Sequence, residues 1–179
     1  MPLRPHRGSR IAPIAVLAIA ASACSSELQG DALPQAPTIR ASTQPTDVFK
    51  DLSACGLLEP TTAVKGFEPP KVETYESDNG CGTAKRGYAS VSIYLVPEAG
   101  IDQLSPGQGT KVPSNLNGRD AVEIPGDAGT DACTVAVAVG PNARMTASTT
   151  LERNGTNEEA CALSREIAEA AEPKLPRSN

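Results

Sequence analysis

Cys133-Thr134-Val135-Ala136-Val137-Ala138-Val139-Gly140-Pro141-Asn142-Ala143-Arg144-Met145-Thr146-Ala147-Ser148-Thr149-Thr150-Leu151 is the stretch whose reading decides the fold. Cys133, Val135, Val137 and Val139 recur at every second residue, as do Met145, Ala147, Thr149 and Leu151. That two-residue period places alternate side chains on one face of a strand. Gly140-Pro141-Asn142-Ala143 between the two runs is turn chemistry, so the segment predicts a β-hairpin. With Val139 facing Arg144 across the turn, Cys133 lies opposite Thr150.

The next element downstream is a helix over Asn157–Ala171. Thr156 and Glu159 spell a capping box, and Pro173 marks the stop. Ala160, Cys161, Leu163, Ile167, Ala168 and Ala171 fall on one face; Glu158, Arg165, Glu166, Glu169 and Glu172 fall on the other. Asn154-Gly155-Thr156 has the form of a glycosylation sequon and reads here as a turn leading into the cap. Upstream, Ala89, Val91, Ile93 and Leu95 alternate with Tyr88, Ser90, Ser92 and Tyr94, which predicts a strand over Tyr88–Val96. Ala121–Ile124 is a shorter strand ended by Pro125, and Val72–Tyr75 is a further one. Gly100–Gly118 reads as a loop. Val48, Leu52 and Cys55 have helical spacing between Asp47 and Gly56, giving a first helix broken at Pro60 and resumed over Thr61–Lys65. The chain has no internal repeat. The expectation is an α+β fold, an antiparallel sheet of about five strands packed against N- and C-terminal helices, with two disulfides.

Cys55, Cys81, Cys133 and Cys161 supply those disulfides. An even count in an exported chain reads as bridges, with three pairings open. The hairpin returns its second strand to the side of Cys133 and the helix starts a few residues later, so Cys161 falls within reach of Cys133. Cys55 and Cys81 then pair by elimination. Each bridge closes a loop of just under thirty residues, about 3–4 kcal/mol in the chain-entropy account. No two cysteines have Cys-x-x-Cys spacing, and the one histidine, His6, lies near the N-terminus. No metal site and no cofactor are therefore expected.

The N-terminus carries Arg4, Arg7 and Arg10, then an apolar run over Ile11–Ala21, then Ala21-Ser22-Ala23-Cys24. That is the layout of a secretory signal, with an apolar run too short for a finished membrane span. Small residues running into a cysteine resemble the lipobox of bacterial lipoproteins, although Ala21 stands where Leu is usual. The resemblance implies cleavage before Cys24 and diacylglycerol on its sulfur, a stable hold on the extracytoplasmic face of the cell membrane. The expected organisation is a signal peptide over 1–23, a lipidated flexible tether over 24–45, one domain over 46–176 and a tail over 177–179. Pro34, Pro37 and Pro45 among Ser, Thr, Gln and Ala give the tether too little apolar surface to fold. Removing residues 1–23 leaves 13 basic residues against 21 acidic ones, a net charge of −8. An acidic domain repels phosphate backbones, so nucleic acid is not an expected partner.

Several of these segments together resemble DUF3558, a family of actinobacterial lipoproteins whose domain has no assigned function. The residues that carry the resemblance are Cys55-Gly56-Leu57-Leu58, Gly80-Cys81, the Cys133–Val137 strand, and Ala160-Cys161-Ala162-Leu163 running through Ile167-Ala168 to Leu175-Pro176. It covers Asp51 to Pro176. Family members often carry Trp two residues after the second cysteine, where this chain has Thr83. The resemblance implies a lipoprotein of a high-GC Gram-positive bacterium and supplies no active site.

The usual catalytic chemistries find no foothold. A serine or cysteine hydrolase needs a base beside its nucleophile, and no histidine follows the signal. There is no Ser-x-x-Lys and no Gly-x-Ser-x-Gly. Gly107-Gln108-Gly109-Thr110-Lys111 lacks the spacing of a phosphate-binding loop and reads as an ordinary loop. Asp120, Glu123, Asp127 and Asp131 would have to converge in a cleft to act as acid and base or to hold calcium; solvated loop charges are the simpler reading. The expectation is therefore not an enzyme but a membrane-anchored binding or interaction module of the cell envelope, engaging an envelope protein or small ligand through a sheet face or the Gly100–Gly118 loop. The alternative is a carrier of a lipid or other apolar ligand, for which small inward residues such as Ala89, Ala147 and Thr149 would have to leave space.

Overall fold

The computed structural model describes residues 47–177. The expected signal peptide, Cys24 and the tether to residue 45 lie outside the described residues. One antiparallel sheet contains β1 (Lys71–Glu73), β2 (Gly80–Lys85), β3 (Ala89–Val96), β4 (Val112–Leu116), β5 (Arg119–Pro125), β6 (Ala132–Gly140) and β7 (Ala143–Leu151). Helices α1 (Ala54–Val64) and α2 (Asn157–Ala171) flank it in sequence. The spatial order is β1-β2-β3-β7-β6-β5-β4. Two meanders thus meet where β3 pairs with β7, and the chain between β3 and β4 must travel from the middle of the sheet to its edge.

The α+β class and the antiparallel sheet agree with the sequence reading; the count of five strands does not. β2 reads Gly-Cys-Gly-Thr-Ala-Lys and has almost no large side chain to show a period. Its glycines are there for space, since a Cβ on Gly82 would lie 2.3 Å from the Glu73 carboxylate. β4 falls in the stretch expected as loop. It contains Pro113, which an edge strand tolerates because one side of its backbone pairs with nothing. The turn into β5 is Asn117-Gly118 with φ of 53° and 90°. That is the two-residue hairpin turn which Asn-Gly favours, so the missed strand did have a sequence signal.

The central hairpin forms with a different register from the one expected. Cys133 pairs with Thr149, not Thr150, and Ala138 pairs with Arg144 while Gly140 pairs with Ala143, leaving Val139 as a bulge. Neither Pro141 nor Asn142 has a positive φ, so the turn is not the form that continues a regular ladder, and the extra residue takes up the mismatch. The consequence is large. A one-residue slip exchanges the faces of a strand. The bulged register puts Cys133, Val135 and Val137 on the same face as Thr149, Ala147 and Met145.

Helix α1 also departs from expectation. It starts at Ala54, capped by Ser53, whose Oγ accepts from the Gly56 amide, and it runs through Pro60 without a break. Gly56 therefore sits in its first turn and does not end it. Pro60 removes the bond to the Gly56 carbonyl, but both residues lie on the exposed side, where water can satisfy that oxygen. Asn79 fixes the entry to the helix, accepting from the Ala54 amide at 3.0 Å and donating to the Leu52 carbonyl at 2.9 Å. Helix α2 has the expected bounds. Its capping box is closed from both sides, Glu159 N–H to Thr156 Oγ1 at 3.2 Å and Thr156 N–H to Glu159 Oε2 at 3.0 Å. Pro173 then sits in a 3₁₀ turn over Glu172–Lys174.

Both helices cover one face of the sheet. α1 packs on β2 and β3, and α2 on β5, β6 and β7. The inner row in register across all seven strands is Val72, Cys81, Ile93, Ala147, Val135, Glu123 and Val112. Its middle is sealed, with Ile93 and Ala147 fully buried, while Val72 and Val112 at its ends are 72% and 48% exposed. The cause is width. Seven strands span roughly 30 Å at about 4.8 Å spacing, and two helices of about 10 Å each leave the edge strands bare.

The disulfides are Cys55–Cys81, joining α1 to β2, and Cys133–Cys161, joining β6 to α2. The expected pairing holds although the register behind it was one residue off, because Cys133 faces α2 and the cap places Cys161 one turn into the helix. Cys161→Ala is expected to cost about 2–5 kcal/mol and to leave Cys133 as a free thiol. Denaturant titration with thiol counting measures both; four free thiols in the exported wild type would refute it.

A buried ion pair closes the C-terminus. Glu172, 3% exposed, accepts from Arg119 Nε at 2.5 Å and from Asn117 Nδ2 at 3.3 Å, while Arg119 also donates to the Leu175 and Pro176 carbonyls. The Arg119 hydrogen bond holds the Glu172 carboxyl below the usual glutamate value against the opposing effect of burial. A lowered folded-state value means that the unfolded chain binds this proton more readily. The contribution is complete at neutral pH and fades as pH falls below the ordinary glutamate range toward the lowered value. Glu172→Gln should therefore be less stable than wild type at neutral pH, with the gap narrowing as the pH falls below the ordinary glutamate range. Chemical denaturation at several pH values reads this out, and a pH-independent gap would contradict it.

Candidate functional site

The two faces of the sheet present different chemistry. On the face away from the helices, Lys71, Gly82, Ser92, Ser148, Thr134 and Ile124 stand in one register row. Over the β6 end of this row lies the connection from β3 to β4. Leu104 in that connection packs with Ile124 and Ala136, and Arg144 donates to the carbonyls of Ala99 and Gly100 at 3.0 and 3.2 Å. Gly107 adopts a φ of 56° against the Asp127 carbonyl, where a Cβ would come within 2.3 Å. Lys111 turns back to the Ile101 and Asp102 carbonyls. The Gly100–Gly118 stretch is thus part docked strap and part strand, not a free display loop.

Between this strap and β1 an open trough of about 300 Å³ remains, floored by Gly82, Ser90, Ser92, Ser148 and Thr150. Several polar groups of this face are paired with one another, most of them beside the trough rather than in its lining. Thr134 Oγ1 lies 2.6 Å from both Asp127 Oδ2 and Ser148 Oγ. Thr146 donates to Glu76 at 3.0 Å, and Arg144 stands 3.6 Å from the same carboxylate. Tyr94 donates to Glu73 at 2.8 Å across Gly80, whose missing side chain makes room for the ring. Burial, and then this bond to an anion, push the Tyr94 hydroxyl up to about 12.

On the helix-covered face, a groove of about 620 Å³ runs between α2 and the β4–β5 edge. Val112, Pro125, Cys161 and Ala162 give it apolar walls, and Glu158, Glu166 and Glu169 stand along its helical rim. Glu123 and Arg165 form an ion pair across its floor. The groove continues past Val112, Pro125 and Asn157 into a second open cleft of about 420 Å³ beside Gln108–Thr110.

The four carboxylates singled out in the sequence do not converge. Glu123 faces α2, Asp127 meets Thr134 on the opposite face, and Asp120 pairs with Asn115 at the start of β5. Glu123 and Asp127 are also not the solvated loop charges expected: the first is bound to Arg165, and Asp127 Oδ1 is buried without a hydrogen-bond partner. Glu123 approaches Cys133 and Cys161 within 4.8 Å. Those sulfurs are bonded to each other, and a metal requires the thiolate, so the trio offers one carboxylate. Cys24 lies outside the described residues.

No protein-family model matches the chain, and neither a curated protein nor a solved structure resembles it significantly. The comparisons therefore lend it no function, and the class that its geometry defines is a disulfide-braced α+β scaffold with an apolar groove at one edge. Sequence reasoning missed the groove because its walls come from the β4–β5 hairpin and from α2, which begins over thirty residues after β5 ends; exposed Ala162 between Glu158 and Glu166 on α2 was its one local trace.

The Tyr94–Glu73 bond offers a test of the outer face. In Glu73→Gln the Tyr94 ionisation should move from about 12 toward the ordinary tyrosine value. The Tyr94 ring resonances followed by NMR against pH report it, and an unmoved titration would mean that burial alone sets the value.

Proposed function

We propose that this protein is a lipoprotein held on the extracytoplasmic face of the cell membrane by Cys24, and that its domain is a binding module rather than an enzyme. In this reading residues 1–23 direct export, the diacylglycerol on Cys24 anchors the chain, and residues 24–45 lift the domain off the lipid surface. The resemblance to the DUF3558 lipoproteins rests on the residues quoted for it and supports the same class.

The observation that carries the binding role is the groove between α2 and the β4–β5 edge. Its apolar wall, formed by Val112, Pro125, Cys161 and Ala162, is left open at the edge of the sheet, and such open apolar surface is characteristic of interaction sites. The Cys133–Cys161 disulfide ties α2, the helical wall of the groove, to β6, and Cys161 itself lines the groove. The carrier alternative needs interior space under the helices. Ala89, Ala147 and Thr149 are instead covered within one continuous core, with at most 2% exposure, so these small residues serve close helix packing. That favours docking over carriage.

Labelled fatty acid should enter the wild type and not Cys24→Ser, which should be released from the membrane fraction. A photo-crosslinking residue at position 162 in the anchored protein should give a discrete adduct on intact cells, whereas one at Glu59, exposed on α1, should not. Release of unacylated wild type would defeat the anchor, and equal labelling from both positions would defeat the groove.

A further inference from the structure

Building on the docking reading, we infer that the groove beside α2 receives a cationic segment of a partner protein, one with an apolar side chain set among lysines or arginines. Three observations lead there. The first is shape. The groove and the cleft continuing from it share Val112, Pro125 and Asn157 and run from the α2 flank to the Gln108–Thr110 loop. That is a path for a length of chain, longer than one compact ligand needs.

The second is what the walls offer. Val112, 48% exposed, lies on the bare inner face of the edge strand, and exposed Ala162 stands on the helix side of the same groove. A short side chain at 162 gives an incoming apolar group room to reach the sheet. Deep apolar contact of this kind anchors a segment, while surrounding polar groups select it.

The third is charge. Glu158, Ala162 and Glu166 recur at four-residue spacing, one stripe on the helix, with Glu169 three residues further. Lys65 already pairs with Glu166 at 2.8 Å, and Arg165 with Glu123. Glu158 and Glu169 have no ion-pair partner among the described residues and stand exposed at the rim. An anionic or phosphate-bearing partner would be repelled there, and an apolar ligand without charge would leave both carboxylates unused. A lysine or arginine on either side of an apolar anchor satisfies the groove and its rim together.

The test uses the full exported chain and three synthetic peptides of equal length in which leucines are interspersed with lysine, glutamine or glutamate. NMR should show the leucine–lysine peptide shifting the amides around Val112, Glu158, Ala162 and Glu169. Its affinity should fall about tenfold in the Glu158→Gln/Glu169→Gln double variant and also fall with added salt, while Glu59→Gln on α1 leaves it unchanged. Equal binding of the glutamine peptide in the groove would preserve the docking site and overturn its preference for cations. Binding of the lysine peptide elsewhere on the acidic surface, or of none of the three in the groove, would overturn the proposal together with the docking reading. Groove amides that shift with protein concentration alone would assign the groove to a second copy of the chain. Amides that shift on deletion of residues 25–45 would assign it to the tether. Either result would equally overturn the proposal.

Discussion

The position of one residue, Val139, decides which side chains of the central hairpin face the helices. By standing outside the pairing between Ala138–Arg144 and Gly140–Ala143, it lets Cys133, Val135 and Val137 share a face with Met145, Ala147 and Thr149. In the unbulged register, Val137, Val135 and Cys133 would have stood opposite Thr146, Ser148 and Thr150, and neither face of the sheet would have been apolar throughout. The remaining structure follows from this choice. Helix α2 has a continuous surface to pack on, Cys133 faces Cys161, and Ser164 can cap the Cys133 carbonyl at 2.9 Å inside the core.

The sheet is wider than its cover, and the two faces deal with that differently. On the outer face the chain itself supplies the cover, because the crossover from β3 to the far edge has to pass over β7, β6 and β5. Leu104 and the backbone carbonyls that receive Arg144 turn this passage into a strap. On the inner face there are only two helices among the described residues, α1 tied to β2 and α2 to β6 by a disulfide each, and neither reaches over the edge strands. The bare inner sides of β1 and β4 are the geometric remainder. The β4 side becomes a groove because α2 provides its second wall; a partner segment seated there would extend the helical layer over the remaining strands.

Much of this architecture could be read along the chain. The alternation in β3, β6 and β7, the capping box of α2 and the even cysteine count all express local stereochemistry, where a residue's neighbours in sequence decide its conformation. Asn117-Gly118 belonged to the same class of signal and was obscured by the loop-like composition around it. Other features were not local. Gly80 and Gly82 look like strand breakers until Tyr94 and Glu73 are seen filling the space above them. Pro60 looks like a helix break until its freed carbonyl partner is seen to face water.

The sequence by itself determined the class of the fold, the alternation within β3, β6 and β7, the capping box of α2 and its acidic character, because each depends on periodicity, capping chemistry or charge carried by one segment. Only the tertiary structure decided the strand order, the bulged register, the fate of the long connection as a strap, and the groove. Those depend on which segments become neighbours, and on how many strands two helices can cover, which is a matter of widths and distances that no single stretch of residues encodes.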